Sequence, residues 1–298
     1  MALTTLVDTV TLASRLSDPS WAVVDCRFAL NDESWGSREY LARHVPGAVY
    51  AHLAHDLSGE QSGRNGRHPL PDPGALTRTL GGFGITKGGQ VVVYDQDSGI
   101  FASRLWWLLR WMGHDDVAVL DGGFAKWLAE GRPTSSGQET RTRGADLGAR
   151  SPFTGSPRAH MVVDVDEVAR LAARGPARLV DARAPERYRG ESEPIDRVPG
   201  HIPGAVNDFY MQNLDEHGMF RSPETLRDRL TTVIGGAAPD EVVCYCGSGV
   251  TACHNLLALE RAGLHGARLY AGSWSEWSSD PSRPVERSPG AGEPEGRT

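Results

Sequence analysis

The chain has few cysteines, no long apolar run and no excess of positive charge, and each absence closes a class of function. Only four cysteines occur in 298 residues: Cys26, Cys244, Cys246 and Cys253. They are not spaced like the disulfide framework of a secreted domain, so a reducing cytoplasm is the expected location and any working thiol should stay free. No apolar stretch approaches about 18 residues, which argues against a membrane span. The opening MALTTLVDTVTLASRL lacks the charged region and apolar core of a signal peptide. The formal charge of -7 gives no bulk attraction to nucleic acid or to an anionic membrane, although it leaves room for a local basic pocket that takes a small anion. A zinc cluster of Cys244, Cys246, Cys253 and His254 is also disfavoured. It lacks the two separated ligand pairs of structural zinc sites, and residues two apart on a strand point to opposite faces. Cys244 and Cys253 read as packed core residues.

What the chain does have is an internal repeat. Val23-Val24-Asp25-Cys26-Arg27 matches Leu179-Val180-Asp181-Ala182-Arg183, and His44-Val45-Pro46-Gly47-Ala48 matches His201-Ile202-Pro203-Gly204-Ala205. Val91 to Asp95 matches Val242 to Cys246, and Leu120 to Gly123 with Trp127 matches Tyr270 to Ser273 with Trp277. The landmarks keep their order at an offset of about 150 residues, the size of one domain. Within each repeat, short β-branched runs alternate with amphipathic stretches of helical length. This predicts an α/β fold with two domains, each a parallel sheet with helices on both faces. The domains are expected at residues 1–133 and 159–279. A surface linker over 134–158 should join them, and a Pro-, Gly-, Ser- and Glu-rich tail over 280–298 should lack structure.

The chemistry concentrates in VVCYCGSGVTACH, Val242 to His254. A strand-like run ends at Cys246, a loop with Gly247 and Gly249 follows, and a helix is expected from Thr251 to a cap at Gly263. Ligands of such sheets bind beyond the carboxyl ends of the strands. The loop amides and the helix N-terminus would favour an anion there, and thiols so placed ionise more readily than free ones. Cys246 is therefore the candidate nucleophile. In the first repeat the same position is Asp95, in an acidic loop without a thiol, so that domain is expected to be catalytically silent.

The segment CGSGVTAC resembles the active-site loop of 3-mercaptopyruvate sulfurtransferases, members of the rhodanese superfamily, and the likeness extends over nearly the whole chain. The resemblance implies two tandem rhodanese-like domains and a persulfide on Cys246, with Gly247, Ser248, Gly249, Val250 and Thr251 forming the cradle. It places the substrate-binding arginines at Arg187 and Arg197, at the edge of the sheet that carries the Cys246 loop. Arginine suits that task because it holds a carboxylate in a bidentate fork. Arg183, matched by Arg27 in the silent repeat, reads as a structural ion pair. The resemblance also adds a histidine and an aspartate to the loop serine. His68, in His68-Pro69-Leu70-Pro71, takes the first role. The family aspartate aligns with Ala54, so Asp56, two residues on, is the candidate, with an ordinary turn residue as its alternative reading.

These residues imply transfer of sulfur from a small anionic donor, 3-mercaptopyruvate, to cyanide or to a thiol acceptor such as a small thiol or a thioredoxin. The chemistry needs no metal and no organic cofactor. Thiosulfate is the alternative donor; the loop between Cys246 and Thr251 carries no Lys or Arg to favour it, Ser248 standing where thiosulfate enzymes have a basic side chain. A cysteine phosphatase would need an arginine where this chain has Ala252. A non-catalytic sulfur carrier would not need the two arginines.

Overall fold

The computed structural model describes residues 2–139, 153–173 and 178–288. The chain divides into two compact units. One comprises residues 1–59, 70–159 and 214–220; the other comprises residues 60–69, 160–213 and 221–298.

In the first unit five parallel strands form a sheet: β1 (Leu6–Val7), β2 (Trp21–Asp25), β3 (Val49–Tyr50), β4 (Gln90–Tyr94) and β5 (Val117–Leu120), in the order β1-β5-β4-β2-β3. The second unit repeats the plan with β6 (Leu179–Asp181), β7 (Val206–Asn207), β8 (Val243–Tyr245) and β9 (Arg268–Leu269), in the order β7-β6-β8-β9. A single parallel bridge between Val162 and Leu269 stands where the first unit has β1. Central strands of such a sheet are covered on both faces and need continuous apolar side chains. Accordingly Val91, Val92 and Val93 in β4 and Val243, Cys244 and Tyr245 in β8 are all fully buried. Helix starts are set by side-chain caps. Asp72 accepts the Ala75 amide before the helix Pro73–Gly82, and Ser222 accepts the Thr225 amide before Pro223–Val233, each with proline in the first turn.

Each unit carries the same buried clamp beside its central strands. The Asp25 carboxylate takes Arg27 at 2.7 Å and the Tyr94 hydroxyl at 2.8 Å. Arg27 Nη2 also donates to the Arg43 carbonyl at 2.7 Å, and its guanidinium lies over the Phe124 ring at 4.3 Å. In the second unit Arg183 pairs with Asp181 at 2.7 Å, donates to the Gly200 carbonyl at 2.7 Å and lies 4.8 Å over Trp274. Arg183 is thus a fold-holding cation. The Trp-rich helix Ala102–Trp111 likewise packs Trp106, Trp107 and Trp111 into the core.

The boundaries differ from those expected from composition. Residues 60–69 come from the first half of the sequence but belong to the second unit, and residues 214–220 make the reverse exchange. In the latter segment the Phe220 amide donates to Asp121 at 3.0 Å. Part of the expected linker, 140–152, lies outside the described residues. Its ends pack on the first unit: Ser135 and His44 exchange backbone hydrogen bonds of 2.9 Å in both directions, Phe153 is buried, and Arg158 forks onto Asp115 at 2.7 Å. The tail expected to lack structure behaves in the same way up to residue 288. Glu286 exchanges backbone bonds of 2.9 and 3.0 Å with His201, and the Pro284 carbonyl accepts Trp277 Nε1–H at 2.8 Å. Main-chain pairing of this kind uses groups that every residue has, so polar composition does not reveal it. Residues 289–298 lie outside the described residues.

Candidate active site

β8 ends at Tyr245, and the chain turns through Cys246 to Val250 into the helix Thr251–Arg261, with Gly263 left-handed (φ 73°) just past its end. The turn closes on the sulfur: the Gly249 amide donates to Cys246 Sγ at 3.1 Å. Gly249 must be glycine on two counts. Its φ is +76°, and a Cβ there would lie 2.4 Å from the Ala271 carbonyl oxygen. Cys246 is only 2 % exposed, so the thiol is recessed, although the tip of a strand suggests a surface position. Val250 is buried and Thr251 half-buried at the helix start.

A second turn, after β9, braces the first. Trp274 and Ser275 donate their amides to the carbonyls of Cys246 and Gly247 at 2.9 and 3.0 Å. Ser273 Oγ accepts the Cys246 amide at 3.1 Å while donating to the Tyr270 carbonyl at 2.9 Å. Ser273 holds a left-handed backbone, φ 55°, a conformation that costs a non-glycine residue roughly 1–2 kcal/mol. Its counterpart in the first unit is Gly123, φ 56°. Ser273 was not among the residues picked out from sequence, yet the repeat itself signals it: a serine replaces a glycine at one aligned position beside the nucleophile loop.

The structure brings His68 and Ser248 together. His68 Nδ1 lies 2.8 Å from Ser248 Oγ, and both residues are 8 % exposed. His68 reaches the loop because residues 60–69 lie in this unit. The neighbouring Arg67 is tied down with it: its amide donates to Ser275 Oγ at 3.1 Å and its Nη1 donates to Asp196. Asp56 belongs to the first unit, where its carboxylate accepts the His52 amide at 2.7 Å and closes the turn from His52 to Asp56. That is the turn-residue reading of Asp56.

Arg187, on the short helix Pro185–Arg189, is held by acids. Its Nη2 donates to Glu193 at 2.6 Å and to Asp196 at 3.3 Å. Burial pushes the Glu193 carboxyl up, but its bonds to Arg187 and to the Asp196 amide outweigh this and hold it below its ordinary value. Burial raises Asp196 against the pull of Arg67 and Arg187. Gly247 is where the guanidinium groups meet the loop. A Cβ on it would lie 2.9 Å from Arg67 Nη2 and 3.5 Å from Arg187 Nη2. Arg197 is exposed and makes no ion pair among the described residues. The second unit therefore gathers Cys246, Ser248, His68 and Arg187, and adds Arg67, which the sequence reading passed over.

In the first unit the equivalent turn holds a carboxylate in place of the thiol. Asp95 accepts the amides of Gly99, Phe101 and Ala102 at 2.9, 2.8 and 3.2 Å. Burial pushes its pKa up to about 6, with the amide bonds pulling the other way. Its carbonyl accepts the Phe124 amide at 2.9 Å, as that of Cys246 accepts Trp274.

Two parallel-sheet units of one plan, with a cysteine cradled at the end of the central strand of the second, define a tandem rhodanese-type protein. Residues 8–130 and 164–280 each match the rhodanese-like domain, and the chain belongs to that family. It is 50 % identical over 277 residues to a Pseudomonas aeruginosa protein named "Probable 3-mercaptopyruvate sulfurtransferase", covering 92 % of this chain and 95 % of that one. It is 35 % identical over 263 residues to the thiosulfate sulfurtransferase of Bos taurus, covering 83 % of each. Among solved structures, that of SseA from Escherichia coli, described as a 3-mercaptopyruvate sulfotransferase, matches with a TM-score of 0.77 at 30 % identity over 91 % of this chain and 99 % of that one.

Proposed function

We propose that this chain is a sulfurtransferase that moves sulfur from 3-mercaptopyruvate through a persulfide on Cys246 to a thiol or cyanide acceptor. The observation that carries the reading is the turn around Cys246 Sγ, which receives the Gly249 amide and has the Ser248–His68 pair beside it. In the first half-reaction the Cys246 thiolate attacks the donor sulfur. The carbon–sulfur bond breaks, and its electron pair leaves on pyruvate as the enolate. Ser248, backed by His68, delivers the proton that converts the enolate to pyruvate. Cys246 keeps the transferred sulfur, and loop amides stabilise the anion on it. In the second half-reaction an acceptor thiolate attacks the outer sulfur, the S–S bond breaks, and the Cys246 thiolate is restored. Arg187 and Arg197 bind the donor carboxylate and keto oxygen. Arg187 is set in place by Glu193, while Arg197 is exposed and makes no ion pair among the described residues. Asp56 is left with the role of a turn residue, its carboxylate closing the His52–Asp56 turn.

The acceptor is a small thiol or a thioredoxin, the setting is the cytoplasm, and the first unit is catalytically silent. No helix among the described residues is long and apolar enough to cross a membrane. Thiosulfate, which would release sulfite from the same cysteine, is the second reading, and the guanidinium of Arg67 against Gly247 favours it. Turnover of the two donors with one acceptor, together with peptide mass analysis of the donor-treated chain, tests the proposal. The expected result is a mass increase of one sulfur on Cys246 and higher kcat/KM for mercaptopyruvate. Added sulfur on Cys244 or Cys253 with Cys246 unmodified would overturn it.

A further inference from the structure

The nucleophile loop has no cation of its own, but the fold brings one to it. Arg67 Nη2 stands at the face of Gly247, the residue after the nucleophile, so close that a Cβ there would be 2.9 Å away. Arg187 Nη2 and Nη1 lie on the same face, 3.5 and 3.6 Å from that point. Asp196 sits between the two guanidinium groups, taking Nη1 of Arg67 and Nη2 of Arg187. Among the described residues no acceptor takes Nη2 of Arg67. Its backbone is also fixed, by the Ser275 bond on one side and by the His68–Ser248 contact on the other. Arg67 is therefore a held fork with one edge committed to the protein and one edge turned to the loop.

We propose that Arg67 is a donor-specificity residue: with Arg187 it forms a two-guanidinium face beside Cys246 that admits a doubly charged sulfur donor of the thiosulfate type. This rests on the sulfurtransferase reading and deepens it. The physical reason is charge count. The mercaptopyruvate carboxylate is one anionic group that one bidentate arginine matches, whereas the sulfonate end of thiosulfate spreads its charge over three oxygens and can engage two forks at once. In the step served, the Cys246 thiolate attacks the outer sulfur of thiosulfate, the S–S bond breaks, and sulfite leaves with the electron pair.

The test uses the full chain, cyanide as acceptor, and kcat/KM for thiosulfate and for mercaptopyruvate in wild type, Arg67→Gln and Arg67→Lys. The expected result is that Arg67→Gln lowers the ratio of thiosulfate to mercaptopyruvate kcat/KM by about tenfold or more, the scale of one lost charge-assisted bond. Arg67→Lys should restore part of that ratio. An equal fall for both donors would make Arg67 merely an anchor of the 60–69 segment and overturn the proposal. So would a larger fall for mercaptopyruvate, because Arg67 would then act by displacing His68. A lysine that restores nothing, or a wild type without thiosulfate turnover, would likewise sink it while leaving the mercaptopyruvate reading intact. Failure of the underlying reading shows separately, as absence of persulfide on Cys246 with either donor.

Discussion

The turns after β4 and β8 have one backbone plan and opposite contents. Both end a buried central strand, both point amides inward, and both are strapped through their first carbonyl by the turn that follows the next strand. In the first, Asp95 fills the centre with its own carboxylate and uses three or more amides of the turn and helix start. In the second, the smaller Cys246 sulfur sits at the centre with a bond from Gly249, and the unit adds Ser248, His68, Arg67 and Arg187 around it. The two turns therefore share a backbone plan but not the side chains gathered around it. The first unit fills its turn with the Asp95 carboxyl group, and the second leaves its turn to the Cys246 thiol.

Four further experiments probe that comparison, in order of falling effect on turnover. Replacing Cys246 by Ser should bring turnover of both donors to background with the fold intact, and adding Asp95→Cys should restore none of it. Appearance of persulfide on residue 95 together with turnover would show that the turn alone suffices. His68→Asn should lower kcat for mercaptopyruvate by about a hundredfold, the usual scale for a lost acid–base group, and should affect thiosulfate less; equal losses would assign His68 a purely structural task.

The two glycines whose amides donate to the central side chain make a matched pair. Gly249→Ala meets the Ala271 carbonyl and should cost at least about tenfold in kcat/KM. Gly99→Ala, also at positive φ but with its nearest neighbour a Val119 methyl at 3.4 Å, should cost about 1–2 kcal/mol of stability and leave kcat/KM within about twofold. Comparison of thermal midpoints with kinetics separates the two.

Asp95→Asn should change turnover least and alter the pH dependence of stability. With the folded pKa raised to about 6, the folded state binds more protons than the unfolded chain between about pH 4 and 6. Stability contributed by this group is therefore present at low pH and lost as pH rises through that window. The asparagine variant should lack this loss. Denaturant midpoints from pH 4 to 7 that fall equally in both proteins would mean that the amide bonds, not burial, set the Asp95 charge.

Much of this is legible in the sequence because it lies in local pattern. The continuous apolar runs at Val91–Val93 and Val242–Val243 mark strands covered on both faces, and the glycines around Cys246 mark a turn that needs open backbone. The role of Arg183 followed from its match to Arg27. The reach of the Pro284–Glu286 segment did not show, because its bonds to Trp277 and His201 use backbone carbonyls and amides that carry no sequence signature. Arg67 was passed over for a related reason: nothing in Gly66-Arg67-His68-Pro69 indicates which unit the segment joins.

The sequence alone therefore determined the two-fold repeat, the parallel α/β plan and a glycine-flanked thiol at the carboxyl end of a central strand, since each is written in side-chain period, composition or residue type. Only the tertiary structure decided that residues 60–69 cross into the second unit, that Ser273 bears a strained backbone to hold the Cys246 amide, and that Arg67 lies against Gly247. Those outcomes depend on which distant groups satisfy one another's charges and hydrogen bonds. Partner choice of that kind is a property of the packed whole, because a guanidinium or an amide looks the same in the sequence whichever acceptor it finds.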